Sequence, residues 1–328
     1  MRKYITILTA LVTLCQVGSA QQDPHYSLHM FNGLFLNPAY AGSHEVVDAM
    51  AIYRAQWLGV EGAPMTGNGS IHGALRRNQY ALGLTLQGDR LGLTNSFGVT
   101  GAFAYRIKAG KTKISLGIQA GLTYYLQGNS GAQSDLNKIG INDNVFTVDR
   151  NLWVPNFGAG IYWYGKRFSV GFSVPHLLPT TLSTSLGVTQ NQNVARQYNH
   201  YIFTAGYLFG KDAAIVKVKP TILMKYVAGL NNSIPDFDIG LNFFFVDRVM
   251  LGANYRIGTA NNANYGSTAI AGLLMVQVTH RFRIGYAYEH TLTDINKGVQ
   301  YGTHDIMLGY EFNTGKKRFV SPRFISYF

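Results

Sequence analysis

The chain has 328 residues, of which only 13% are charged, and it carries 37 glycines, 21 tyrosines, 19 phenylalanines and a formal net charge of +12. Soluble domains average about 25% charged residues, so the composition argues against an ordinary soluble protein. It suits strands that face lipid, with aromatic side chains gathered at both membrane interfaces.

Residues 1–20 read as a secretory signal peptide: Arg2 and Lys3 form the basic end, Tyr4 to Val17 is mostly apolar, and Gly18-Ser19-Ala20 supplies the small residues of a cleavage site. The apolar run is shorter than the ~20 residues of a spanning helix. Leu14 precedes Cys15 where a lipoprotein signal places a small residue. The only cysteine is therefore expected to leave with the signal, so no disulfide, thiol nucleophile or cysteine metal site is expected. Without Arg2 and Lys3 the net charge falls from +12 to +10. In an exported chain whose basic residues are scattered singly, that balance points to anionic surfaces or acidic partners and away from nucleic acid.

Residues 21–45 form an N-terminal segment, and Asp23 to Gly42 reads DPHYSLHMFNGLFLNPAYAG. Met30, Phe31, Leu34, Phe35 and Leu36 are apolar, but Asn32, Gly33, Asn37 and Pro38 break any helical or strand period. Pro38 biases Asn37 away from helical angles, so a turn is expected at Asn37-Pro38-Ala39-Tyr40. Exposing five large apolar side chains is costly, since burying each is worth roughly 1.5–3 kcal/mol. The candidate residues are Asp23, Pro24, Met30, Phe31, Asn32, Leu36, Asn37, Pro38, Ala39, Tyr40 and Gly42. Two readings stand: a plug that folds back into a barrel lumen, or a partner-binding surface outside it. In the first, Asn32 and Asn37 satisfy backbone groups left unpaired by the irregular chain.

Residues 46–312 repeat segments of about ten residues with alternating character, as a tilted spanning strand requires. Ile306, Leu308, Tyr310 and Phe312 oppose Met307, Gly309 and Glu311, and Leu82, Leu84 and Leu86 alternate with Gly83, Thr85 and Gln87. Strands are expected near 47–57, 66–76, 80–89, 95–107, 112–127, 156–164, 168–174, 200–209, 215–227, 236–245, 249–256, 269–278, 281–289 and 303–312. That is an even set, as a closed bacterial barrel requires. Short turns alternate with longer loops, the longest at 128–155 and 175–199. The fold class read from this pattern is all-β, an antiparallel transmembrane β-barrel of about 14 strands. A soluble sandwich also alternates, but leaves the aromatic excess at strand ends unexplained. On this reading Leu308 faces lipid, and Gly309→Ser is mild unless Gly309 packs against a plug.

The chemistry is sparse. Gly160 to Arg167 nearly spells a phosphate-binding loop, yet aromatic strand formers fill it and Arg167 stands where a hydroxyl is needed. No HExxH or G-x-S-x-G pattern occurs, and His25, His29 and His44 converge only if the fold brings them together. Asp89, Asp236, Asp238, Glu289, Asp305 and Glu311 read as lumen charges paired with Arg or Lys, and Arg281 and Arg283 belong on that face because a lipid-facing cation costs about 2–4 kcal/mol. No cofactor, metal or catalytic group is expected. Residues 313–328 form a basic tail with Lys316, Lys317, Arg318 and Arg323, placed in the periplasm beside an acidic partner or anionic head groups.

The opening motif resembles that of the PorP/SprF family, and the likeness extends along nearly the whole mature chain. It includes Tyr53-Arg54-Ala55-Gln56-Trp57, Gly62-Ala63-Pro64-Met65-Thr66 and Pro155-Asn156-Phe157-Gly158. It continues through Gly171 to Leu178, Leu251 to Arg256, Gly302 to Tyr310 and Ser321-Pro322-Arg323-Phe324. The resemblance implies a non-enzymatic outer-membrane component of the Bacteroidota type IX secretion system, linked to large adhesins and gliding. It implies as partners the periplasmic ring, the translocon and a secreted substrate with a C-terminal targeting domain. The alternative is an outer-membrane channel or transporter for small or hydrophobic compounds.

Overall fold

Period-two alternation runs through β1 (Val47–Ala55), β2 (Met65–Leu75), β3 (Tyr80–Leu91), β4 (Thr94–Ala109), β5 (Thr112–Gln127), β6 (Arg150–Tyr164) and β7 (Phe168–Val174). It resumes in β10 (His200–Tyr207), β11 (Val216–Val227), β12 (Asp236–Phe245), β13 (Val249–Ile257), β14 (Ala269–Gln277), β15 (Phe282–Thr291) and β16 (Thr303–Phe312). Between them, β8 (Thr180–Thr181) and β9 (Arg196–Gln197) make a separate two-stranded pair. The computed structural model describes residues 25–75, 78–127, 150–178, 180–181, 196–197, 199–228, 235–258, 268–292 and 301–312. The expected signal peptide, Asp23, Pro24, and the tail with Lys316, Lys317, Arg318 and Arg323 lie outside the described residues.

Each long strand pairs with its neighbours in sequence, and β1 closes on β16 from Val47↔Phe312 to Ala55↔His304. The result is a closed antiparallel barrel of fourteen strands, which removes the unpaired edges that lipid cannot satisfy. One end carries the turns at residues 110–111, 165–167 and 246–248 together with both ends of the barrel chain, and the other end carries the two-residue turn at 92–93 and the longest connections, 128–149 and 175–199.

Leu308 is 46% exposed while Met307 beside it is 0% exposed, and Ile306, Tyr310 and Phe312 share the outer face. Leu82, Leu84, Leu86, Leu116, Ile118 and Leu122 are exposed in the same way, forming the apolar outer wall expected from the alternation. The inner wall carries large side chains as well as small ones. Met250, Met275, Met307 and Leu273 are buried there beside Lys217, Lys219, Arg256 and Arg283. Residues 25–46 supply the reason, because Tyr26 and Leu28 pack into that methionine cluster.

Strand β6 begins at Arg150, earlier than the expected 156, and includes Pro155. Pro155 pairs with Leu122 of β5, but β6 meets β7 only from Ala159 onward. The missing N–H of Pro155 therefore faces no second strand, the position where a sheet tolerates proline. At the short-turn end, Lys166 Nζ and Arg167 donate to Asp212 at 2.5 and 3.1 Å. The hydrogen bonds from Lys166 and Arg167 hold the Asp212 carboxyl below its ordinary range. This pair staples two turns together, which accounts for the lysine and arginine of the near-phosphate-loop.

Leu308→Arg is expected to lose about 2–4 kcal/mol, the cost of a cation on the lipid face near the midplane, read as a lowered urea midpoint for the barrel in lipid vesicles. Gly309→Ser is not mild in this structure, because a Cβ there sits 2.5 Å from Arg283 Nε. It is expected to lower the midpoint too, whereas Gly272→Ser, where a Cβ meets nothing within 4 Å, leaves it unchanged.

Candidate functional site

Residues 25–46 lie against the inward faces of strands on opposite sides of the barrel. Locally they form a 3-10 turn at His29–Phe31, one helical turn at Gly33–Leu36 and a second 3-10 turn at Pro38–Tyr40. Asn37 is extended at φ −152° and ψ 117°, as a residue before proline must be. Pro38 then starts the turn with its fixed φ, where a missing N–H is harmless. Gly42 leaves the turn at φ +64°, and a Cβ there would lie 2.6 Å from Ala81 Cβ, so both backbone and space require glycine.

The Asn37 to Ala39 stretch sits in a seat made by missing side chains on three consecutive strands. A Cβ at Gly117 of β5 would lie 2.2 Å from Ala39 N, one at Gly160 of β6 2.2 Å from Asn37 Oδ1, and one at Gly171 of β7 3.1 Å from Asn37 Nδ2. Within the seat, Asn37 Nδ2 donates to the carbonyls of Ile161 and Phe172 at 2.9 and 3.3 Å, and Oδ1 accepts from the Ala39 N–H at 2.9 Å. Ser173 Oγ donates to Leu36 O at 2.5 Å. Asn37 thus satisfies backbone groups as expected. Asn32 does not: it is fully buried and neither its Oδ1 nor its Nδ2 has a hydrogen-bond partner among the described residues.

The opposite wall holds Ser27 with charge. Its N–H donates to Asp305 at 2.7 Å, its hydroxyl to Glu289 at 2.5 Å, and its carbonyl accepts from Asn254 at 2.8 Å. Arg54 joins both acids, at 2.8 Å to Asp305 and 2.9 Å to Glu289, and donates to the Ser27 hydroxyl at 3.2 Å. Arg256 bridges Glu289 at 2.9 Å and Asp238 at 3.1 Å. Arg54, Asp305 and Asp238 are each about 99% buried or more. Charges so far from water persist only when each is paired.

Nearer the short-turn end, Arg283 donates to Asp48 at 2.7 Å and to Glu311 at 3.1 Å. Asp48 meets His44 Nδ1 at 3.0 Å, His44 Nε2 meets the Tyr40 hydroxyl at 3.0 Å, and the Gly42 N–H donates to His72 Nδ1 at 3.1 Å. Arg106 binds Gly42 O, and Lys113 pairs with Glu45. His44, Asp48 and His72 offer donor atoms within 4.8 Å of one another. Those atoms already hold the segment in place, and the Arg283 guanidinium on Asp48 opposes a second cation, so the trio carries no metal assignment. His25 and His29 do not join it: His29 Nδ1 lies 3.9 Å from Asp238 on the other wall.

Among the residues singled out from sequence, Asn32, Asn37, Pro38, Ala39, Tyr40 and Gly42 are buried inside, and Met30 and Phe31 are partly buried against the methionine cluster. Leu36 lies beside Asn37 and Tyr40 around a small interior cavity. Asp238, Glu289, Asp305 and Glu311 pair with arginines as expected, Asp89 receives the Thr66 hydroxyl at 2.5 Å, and Arg281 is exposed rather than inside. The sequence reading missed Ser27, Asn254 and the joining role of Arg54. Only the alternation around Arg54 could mark it as inward, and its acid partners lie more than two hundred residues away.

The family model described as type IX secretion system membrane protein PorP/SprF matches residues 18–310. No curated protein resembles the chain closely enough to count as a relative. Among solved structures, the toluene transporter TbuX of Ralstonia pickettii is 11% identical, with 88% of this chain and 93% of that chain covered and a TM-score of 0.52. The CymD monoaromatic hydrocarbon channel is also 11% identical, with 92% and 96% covered and a TM-score of 0.50. Likeness at this identity shows the outer-membrane barrel fold alone.

Two substitutions test the seating. Arg54→Met leaves Asp305 without its cation and Glu289 with Arg256 alone, and is expected to cost about 3–5 kcal/mol, measured by urea unfolding in detergent. Gly117→Val drives its side chain into Ala39, and is expected to raise hydrogen exchange at Ala39 to Gly42 while the barrel amides stay protected.

Proposed function

The chain belongs to the PorP/SprF family of type IX secretion system membrane proteins, and we propose that it assists the secretion or surface anchoring of large substrates such as adhesins, without catalysing a reaction. The family and the barrel fold make it an outer-membrane component of that system. The observation that carries the finer reading is the anchoring of residues 25–46 between the glycine seat and the ionic wall. A barrel whose interior holds its own chain is suited to dock proteins at its rims rather than to pass solutes. Residues 23–44 act as the plug, entered from the periplasm behind the signal peptide that export removes.

In this reading the partners are the periplasmic ring, the translocon, the outer-membrane bilayer and a substrate with a C-terminal targeting domain, in a gliding bacterium of the Bacteroidota. The basic tail with Lys316, Lys317, Arg318 and Arg323 meets an acidic partner or anionic head groups in the periplasm. The apolar motif Met30, Phe31 and Leu36 belongs to the plug, because its burial inside avoids roughly 1.5–3 kcal/mol of exposure per large side chain.

The wild-type barrel in lipid vesicles is expected to exclude small sugars and monoaromatic compounds, and deletion of residues 23–44 to admit them. Uptake by the wild type at the rate of the deletion would replace this reading with a channel. Deleting residues 316–328 is expected to leave the barrel folded and to lower the amount of substrate recovered outside the cell. Mass spectrometry of proteins retained by the tagged barrel in mild detergent is expected to recover an adhesin-sized substrate with its C-terminal domain.

A further inference from the structure

The end of the barrel that carries both chain termini has a cationic rim. Each of the five turns described there in full holds Lys or Arg: Lys111 in 110–111, Lys166 and Arg167 in 165–167, Lys211 in 208–215, Arg248 in 246–248 and Arg281 in 278–281. The acids at this end are already taken. Asp212 pairs with Lys166 and Arg167, Asp247 with Lys217, Glu45 with Lys113, and Asp48 and Glu311 with Arg283. Lys108, Lys111, Lys211 and Arg281 are exposed and make no ion pair among the described residues. At the opposite end the exposed charges of the described residues are Glu61 and Arg90, one of each sign.

We propose that this rim binds the anionic head groups of phospholipids in the leaflet that it faces. The register between apolar belt and cations carries the assignment. Exposed side chains stay apolar or aromatic up to the strand ends: Ile107, Trp163 and Phe209 are 45%, 47% and 55% exposed. Trp163 meets Phe168 edge-on at 4.9 Å, and Tyr207 lies 4.7 Å from Phe209, as in the aromatic girdle that marks a membrane interface. Lys108 follows Ile107 directly, Lys111 precedes Thr112, whose hydroxyl accepts from the Trp163 indole at 3.2 Å, and Arg281 adjoins Phe282. Lys166 lies three residues past Trp163, and Lys211 two past Phe209. At about 3.3 Å per residue these cations stand about 3–10 Å beyond the belt. The polar layer of each leaflet is about 5–8 Å deep, so the cations fall among lipid phosphates.

The turn tips favour lipid over a docked acidic protein. Ile215 is 73% exposed and Val246 59%, side by side where the Val246 N–H donates to the Ile215 carbonyl at 2.8 Å. A head-group layer accepts apolar tips and cations together, because long basic side chains reach its phosphates while apolar ones point toward the chains. The turns at 110–111, 165–167 and 246–248 are too short to project past that layer. The sign of the lipid follows from the unpaired cations. A choline head group sets its own positive charge beside them, whereas a glycerol head group leaves the phosphate charge for Lys and Arg to neutralise. Short turns face the periplasm in outer-membrane barrels, so the lipids are those of the periplasmic leaflet.

The test uses the full mature barrel in phosphatidylcholine bilayers that contain spin-labelled phosphatidylglycerol or spin-labelled phosphatidylcholine. Electron paramagnetic resonance reads the fraction of each label held at the protein. Phosphatidylglycerol is expected to be held about fivefold more strongly, the effect of one Lys or Arg at an anionic surface. That preference is expected to vanish at about 1 M salt, where screening shortens to about 3 Å. The variant combining Lys108→Gln, Lys111→Gln, Lys211→Gln and Arg281→Gln is expected to hold both lipids alike, with folding checked by heat-modifiable migration. If it fails to fold, Lys108→Gln with Lys111→Gln is expected to lower the preference in part. Arg90→Gln at the opposite end, and deletion of residues 316–328, are each expected to keep it. Polyglutamate stands for an acidic protein and is expected to bind the wild type no better than the variant. Equal retention of the two lipids, a preference kept by the folded variants, or its loss on deleting the tail alone would overturn the assignment. Rim-dependent binding of polyglutamate without a lipid preference would replace the lipid with a protein partner.

Discussion

The pairing of β1 with β16 joins the two ends of the sheet and sets Arg54 directly across from Asp305. That juxtaposition creates a buried charge pair, and Glu289, Arg256 and Asp238 extend it along β15, β13 and β12. Desolvating five charged side chains is tolerable only when each charge is paired and hydrogen-bonded. Ser27 adds to that network, with its N–H, hydroxyl and carbonyl all engaged. Closing the barrel and seating the N-terminal segment are therefore coupled, because each supplies partners that the other needs. A change at Ser27 acts at the closing seam, far from its own position in sequence.

The interior divides into two chemistries as a consequence. Strands β11 to β16 with β1 present cations, acids and methionines, and the apolar side of the segment packs there through Tyr26, Leu28, Met30, Phe31 and Phe35. Strands β2 to β6 present glycines, hydroxyls and amides. The tight turn at Asn37-Pro38 fits there because Gly117 and Gly160 let the backbones touch. At the short-turn half, Tyr40 packs edge-on against His44 and His72 and against Tyr162. At the other half the same wall presents Thr85, Gln87, Thr100 and Asn156 around Leu34 and Phe35. One segment of about twenty residues thus reads both walls, and its irregular sequence reflects two unlike surfaces rather than a missing period.

Most of the fold was legible because a spanning strand has a simple rule. Period two with an apolar outer face located all fourteen long strands, and every boundary but the start of β6 within a few residues, since a one-residue slip would turn every Leu and Ile inward. The one large boundary error lies at β6, which starts at Arg150 and runs through Pro155. Whether a proline ends a strand depends on which neighbour lies beside it, and that is a property of the sheet.

The amino-acid sequence by itself determined the strand count, the lipid face, the turn at Asn37-Pro38 and the burial demand of the apolar motif. These rest on local geometry and on transfer free energy, both read from neighbouring residues. The tertiary structure decided what fills the inside. It paired Ser27 with acids 262 and 278 positions away, left the Asn32 amide without a partner among the described residues, and lined one wall with methionines. Inward-facing positions carry no local signal for their partner, because registry around a closed circle sets which side chains meet across the lumen.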